Sequence, residues 1–196
     1  ASSGAMIAIE KKMDIFGVNV LGATTAVGGG IMRDIILGLT PPGAFSHPVY
    51  VLVAALTSTI LFVIAYAKPT AFESRVKTDY YDKLMFWCDT AGLGIFTVVG
   101  IQAAVRAVGG ENVFFFVFIG TLTGVGGGVL RDIMAGETPY ILVKHIYACA
   151  AIAGGIVCVV GRTAFGEAYG TILGLAATVL LRFLVAHFRW NLMRVS

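Results

Sequence analysis

Two copies of one pattern carry the charges that could do chemistry in this chain, "GGGIMRD" (28–34) and "GGGVLRD" (126–132). In each, an arginine and an aspartate follow three glycines inside an apolar stretch: Arg33 with Asp34, and Arg131 with Asp132. Carboxylates in apolar surroundings attract cations, and arginines beside them either gate the site or brace the helices. Side chains of adjacent helical residues point roughly 100° apart, so Arg33 and Asp34 are expected not to face one another. Each then needs another partner, because an unpaired charge in hydrocarbon costs at least ~2.5–3.5 kcal/mol. Crosswise neutralisation within the bundle is the expected solution.

The glycines, Gly28, Gly29 and Gly30 with Gly126, Gly127 and Gly128, have two possible uses. Each weakens a helix by about 0.8–1 kcal/mol relative to alanine, so three in a row could open the ladder. An opening at membrane depth requires protein or a water-filled cavity opposite the freed carbonyls. The other use is a packing notch, since small residues let helices approach closely. Duplication of the motif favours the broken, cavity-lining use.

Asp89, in "FWCDTAGLGIF", is the one charge of its apolar stretch and either lies on an ion route or caps a helix end. His47 and His145 recur beside helix starts, where interfacial hydrogen bonding is the expected role. Lys144 and Arg182 are expected to snorkel to the interface. No Lys-Ser/Thr follows the glycines as a phosphate loop requires, and Val129 stands where a dinucleotide motif needs its third glycine. No HExxH, GxSxG or cysteine–histidine cluster occurs, so neither an enzyme nor a cofactor or metal is expected. Cys88, Cys149 and Cys158 lie in apolar runs without metal spacing and imply no disulfide framework.

The elements that must position these residues belong in a bilayer. Hydrophobic residues make up 58% of the 196, and charged residues 13%, about half the usual ~25% of soluble domains. Segment 68–83 alone holds seven of the 25 charges, which leaves the rest barer still. A net charge of +3 is too small to suggest nucleic acid. Apolar spans run over 14–39, 49–67, 84–105, 113–130, 140–160 and 168–188, each long enough to cross ~30 Å of hydrocarbon.

An offset of 98 residues lays "GATTAVGGGIMRDIILGLTP" (22–41) on "GTLTGVGGGVLRDIMAGETP" (120–139), with 12 of 20 positions identical. Glu137 replaces Leu39 and breaks the symmetry, which suits a cytoplasmic mouth. Ala1 then corresponds to Val99, in mid-span, so the first helix is expected to lack roughly 14 residues by analogy with 84–98. The expected domains are a first three-helix repeat (1–67), a cytoplasmic connector (68–83), a second repeat (84–161), and a seventh helix with tail (162–196). Three helices are an odd number, so the second triplet enters from the opposite face, as an inverted repeat. The seventh helix has no repeat partner and is expected outside the symmetric core or in assembly.

Lys11, Lys12, Lys68, Arg75, Lys77, Lys83, Arg189 and Arg194 share one face, and Arg106 and Arg162 the other. The positive-inside rule makes the first face cytoplasmic, with the N-terminus outside and the C-terminus inside. Trp190 and Arg189 read as interfacial anchors.

"SGAMIAIEKKMDIFGV" (3–18), with "GGGIMRDIILGLTP" and "GGGVLRDIMAGETP", resembles the prokaryotic branch of the trimeric intracellular cation (TRIC) channels over essentially the whole chain. The resemblance implies seven helices, a homotrimer, and a potassium-permeable pore in each subunit where helices of both triplets bend at the glycine motifs. It assigns that pathway to Gly28, Gly29, Gly30, Arg33 and Asp34, and to Gly126, Gly127, Gly128, Arg131 and Asp132. The lysine-bearing motif of animal members is missing, so voltage dependence and phosphoinositide binding do not carry over. The same bacterial domain also bears the label of a glycine transporter.

The expectation is therefore an all-α integral membrane protein of the prokaryotic inner membrane, with seven transmembrane helices as two inverted repeats plus one. It would be a passive, potassium-preferring cation channel, with Asp34, Asp132 and Asp89 setting the electrostatics and Arg33 and Arg131 bracing or gating. Monovalent cations, membrane lipids and two further copies of the chain are its expected partners. The alternative is a secondary carrier of a small zwitterion such as glycine, since carriers also use inverted repeats with broken helices.

Overall fold

The computed structural model describes residues 1–67, 79–110, 112–143 and 146–188. Most of the expected connector, Glu111, Lys144, His145 and everything from Arg189 onward lie outside the described residues, among them Trp190 and Arg194. The described residues form helices α1 (Ser2–Glu10), α2 (Ile15–Ile36), α3 (Gly43–Ser46), α4 (Val49–Ala67), α5 (Asp79–Val108), α6 (Val113–Met134), α7 (Tyr140–Val143), α8 (Ile146–Phe165) and α9 (Glu167–Phe188), and no strand. Six of these, all but α1, α3 and α7, are long and apolar enough to cross a bilayer.

The two repeats coincide at their boundaries. The 98-residue offset carries both ends of α2 onto those of α6, and the C-terminal ends of α1 and α4 onto those of α5 and α8. α1 is thus the counterpart of the last nine residues of α5.

Local chemistry fixes these ends. Asp14 caps α2 by accepting from the Gly17 N–H at 2.7 Å, and Asn112 caps α6 by accepting from Phe115 at 3.0 Å. At the other ends Gly38 and Gly136 take φ of +70°, a conformation that costs glycine little. Leu39 and Glu137 then donate back to the Asp34 and Asp132 carbonyls, closing matching C-terminal caps.

The outer surface needs oil. Along α4, Leu52, Val53, Leu56, Ile60, Val63 and Ile64 are all more than half exposed. A contiguous apolar face of this kind is stable only against hydrocarbon or a partner. Inside, Val18 and Leu21 of α2 and their repeat counterparts Phe116 and Ile119 of α6 are fully buried.

One expectation about the helices fails: α2 and α6 continue as α-helix through all six glycines, so the ladder does not open there. Close contact with the facing helix stabilises the glycine stretches in place. The "AGLG" after Asp89 is likewise helical, inside α5. The seventh helix, α9, lies beside the second repeat, without a repeat partner. α9 packs along α8 and reaches α5. Its seam is built from small residues: a methyl at Gly154 would overlap Thr178, and Gly161 sits with its pro-Cβ position 3.1 Å from Gly170 Cα.

Candidate ion pathway

α2 and α6 cross at the glycines, and the crossing is reciprocal. A methyl on Gly29 would enter the Thr123 carbonyl, and a methyl on Gly127 would enter that of Thr25. Gly28 would meet Leu130 Cδ1 at 2.7 Å, and Gly126 would meet Met32 Sδ at 3.3 Å. Each contact maps onto its mate by the 98-residue offset, as a two-fold axis through the crossing requires. The packing-notch use thus holds for the first two glycines of each run.

The third glycine behaves differently. A methyl on Gly30 or Gly128 would have only its own helix's arginine nearby, Nη2 of Arg33 or Arg131 at 3.8 Å. Both glycines face a cavity of about 650 Å³ that Arg33, Asp34, Asp89 and Arg131 also line. A second cavity of about 570 Å³ is lined by Asp89, Gly128, Arg131, Asp132 and Arg182. Ser3, Asp89, Gly128, Arg131 and Tyr147 belong to both walls, so these five residues mark the junction. Gly28 and Gly126 line neither cavity; they lie in the crossing.

The Arg–Asp pairs do not neutralise crosswise. Arg33 Nε and Nη2 both reach Asp34 Oδ1 at 2.7 Å, and Arg131 does the same to Asp132 Oδ1 at 2.8 Å. Adjacent Cβ atoms diverge on a helix, but three methylenes let the guanidinium fold back to its neighbour. The second carboxylate oxygen reaches forward. Asp34 Oδ2 accepts from the Gly43 N–H, and Asp132 Oδ2 from the Tyr140 N–H, both at 2.7 Å. The one-residue difference has a cause: Tyr140 corresponds to Pro42, which has no N–H to give. Each aspartate therefore joins its arginine to the start of the next short helix. Arg131 also donates to Ser3 Oγ at 3.1 Å, tying α6 to α1.

Asp89 caps nothing and is paired. Its Oδ2 accepts from Arg182 Nη2 at 2.9 Å and its Oδ1 from the Tyr147 hydroxyl at 3.2 Å. Arg182 does not snorkel. It is 6% exposed, donates to Thr90 Oγ1 at 3.3 Å, and lies over the rings of Phe86 and Tyr147. Desolvated guanidinium–ring contacts of this kind contribute about 2 kcal/mol. His47 is exposed, edge-on to Tyr50, and both border the larger cavity. Glu137 pairs with Lys11 at 2.8 Å on the surface. Among the described residues no group of three His, Cys, Asp or Glu could hold a metal ion.

Tyr147, Ser3, Thr25 and Thr123 went unread in the sequence, and Arg182 was read only as a snorkelling residue. The threonines had a signal, since they occupy identical positions of the repeat. Arg182 had one too. Asp89 and Arg182 are lone acidic and basic residues of spans that run in opposite directions, at similar distances from the same face.

The chain has relatives throughout its length. A sequence model of the family described as "Glycine transporter" matches residues 1–66 and 86–163. The UPF0126 inner membrane protein YadS of Escherichia coli is 37% identical over 98% of this chain and 87% of its own length. A UPF0126 membrane protein of Vibrio cholerae is 34% identical over 98% of this chain and 75% of its own. Among solved structures, a TRIC cation channel superposes with TM-score 0.85 at 34% identity, covering 99% of this chain and 90% of that one. A TRIC trimeric intracellular cation channel orthologue from Rhodobacter sphaeroides does so with TM-score 0.82 at 33% identity, covering 96% and 92%. The reciprocal glycine crossing and the paired Arg–Asp caps thus sit in a chain that belongs to the UPF0126, or "Glycine transporter", family of membrane proteins, whose fold is that of the TRIC channels.

Proposed function

We propose that this protein is a passive cation channel, potassium-preferring, with one pathway inside each subunit. One observation carries the reading. Two cavities that share five wall residues run past Gly30 and Gly128, from Arg33 and Asp34 at one end to Arg131 and Asp132 at the other. The likeness to structures described as TRIC cation channels supports it. The pathway follows continuous helices, with the third glycines supplying the width.

Asp34, Asp89 and Asp132 favour cations along this route, and Arg33 and Arg131 hold the charge balance and brace the ends. Cationic selectivity then depends on which carboxylates stay accessible. Asp89 leads there, with 32% of its side chain exposed, against 4% and 6% for Asp34 and Asp132. The protein resides in the inner membrane as a homotrimer, with the lysine-rich face cytoplasmic. The Lys11–Glu137 pair supports this orientation, because it joins the α1–α2 and α6–α7 connections on one face.

Reconstitution in a planar bilayer tests the function. Discrete currents that reverse near the potassium potential in a KCl gradient are expected. Saturable glycine uptake with no unitary current would replace the channel with a carrier.

A further inference from the structure

α9 has no counterpart in the repeat, yet it delivers a buried charge to the junction of the two cavities. We propose that Arg182 is a specificity-determining residue: it offsets the charge of Asp89 and so sets how strongly this end of the pathway draws cations over anions. This rests on the channel reading above.

The two partners are held unequally. The Arg182 side chain is 7% exposed, and it is fixed by Asp89, by Thr90 and by the rings of Phe86 and Tyr147, 4.9 and 4.5 Å from its Cζ. The Asp89 side chain is 32% exposed and lines both cavities. The arginine is therefore a fixed background charge, and the carboxylate is the group a passing ion meets. The paired charges near the junction are Asp89 with Arg182 and Asp132 with Arg131, and they cancel. Glu10 adds an exposed charge at the rim. At the other end Arg33 and Asp34 cancel by themselves. Arg131 is already committed to Asp132, so Arg182 is the arginine that pairs directly with Asp89. A helix outside the duplicated core thereby tunes the pathway inside it.

Reversal potentials in a KCl gradient, measured on the full chain in planar bilayers, decide the matter. Removing or exposing one unit charge in a cavity of mixed water and protein should change the potassium-to-chloride permeability ratio at least about threefold. Asp89→Asn leaves Arg182 unbalanced and should lower the ratio. Arg182→Gln leaves Asp89 unbalanced and should raise it, whereas Arg182→Lys should keep it near wild type. The double variant Asp89→Asn with Arg182→Gln should return to within about twofold of wild type. Should Arg182→Gln alone fail to fold, the double variant against Asp89→Asn carries the comparison. A ratio that does not recover in the double, or that moves equally in Arg182→Gln and Arg182→Lys, overturns the assignment. Wild-type protein without potassium current would instead bring down the channel reading, and this inference with it.

Discussion

Gly29 touches the Thr123 carbonyl so closely that no side chain fits between α2 and α6, and Gly127 repeats the contact against Thr25. Backbone cannot move aside as a flexible side chain can. Gly29→Ala and Gly127→Ala should each destabilise the fold by about 1–3 kcal/mol or more, the usual range for overpacking. Thermal unfolding in detergent, followed by tryptophan fluorescence, checks this. Melting temperatures equal to wild type in both variants would show that the helices can separate without loss.

Asp34 and Asp132 each serve two neighbours, an arginine and the N–H of the following short helix. Asparagine keeps an oxygen for the N–H but leaves the arginine without its counter-ion. Breaking one half of a buried pair costs about 3–5 kcal/mol. Asp34→Asn and Asp132→Asn should both lose stability on that scale, measured by denaturant unfolding in micelles. Lys11→Ala removes one partner of the exposed pair with Glu137, and there the loss should stay within about 1 kcal/mol. Equal losses at all three sites would remove the special role of the buried pairs.

Cys88 borders the larger cavity next to Asp89, whereas Cys158 is buried between α8 and α9. A small cationic thiol reagent should therefore modify Cys88, leave Cys158 unlabelled, and reduce current by placing a positive charge beside the pathway. Cys88→Ser should abolish the block. Mass spectrometry locates the adduct. A block that persists in Cys88→Ser would mean that the reagent acts at some other place.

The spans and the repeat were legible in the sequence because they follow from composition and an ungapped internal match. The role of the glycines was not. Propensity predicts a weak helix at Gly28–Gly30, but tertiary contact with α6 decides the outcome, and sequence alone does not reveal what faces a residue. Arg33 and Asp34 were misread for a related reason. The 100° rule describes Cβ directions, whereas a long guanidinium side chain bends back to its neighbour. Arg182 was taken as a snorkelling residue because no periodic pattern announces that α9 packs against α5.

The third glycine of each run faces a cavity, whereas the first two pack against the opposing helix. Gly30 and Gly128 open onto the larger cavity, and a methyl on either would approach only an arginine, at 3.8 Å. Alanine there gains helix propensity of about 1 kcal/mol and meets no backbone, so folding should be unharmed or slightly improved. The methyl nevertheless takes space from the cavity, and valine takes more. Single-channel conductance should fall from wild type to Gly30→Ala to Gly30→Val, with Gly128 following the same order. Valine at both positions should nearly close the route. A double valine variant that folds and conducts like wild type would place the ion path away from this crossing, because no route beside Gly30 and Gly128 could accept two branched side chains without narrowing.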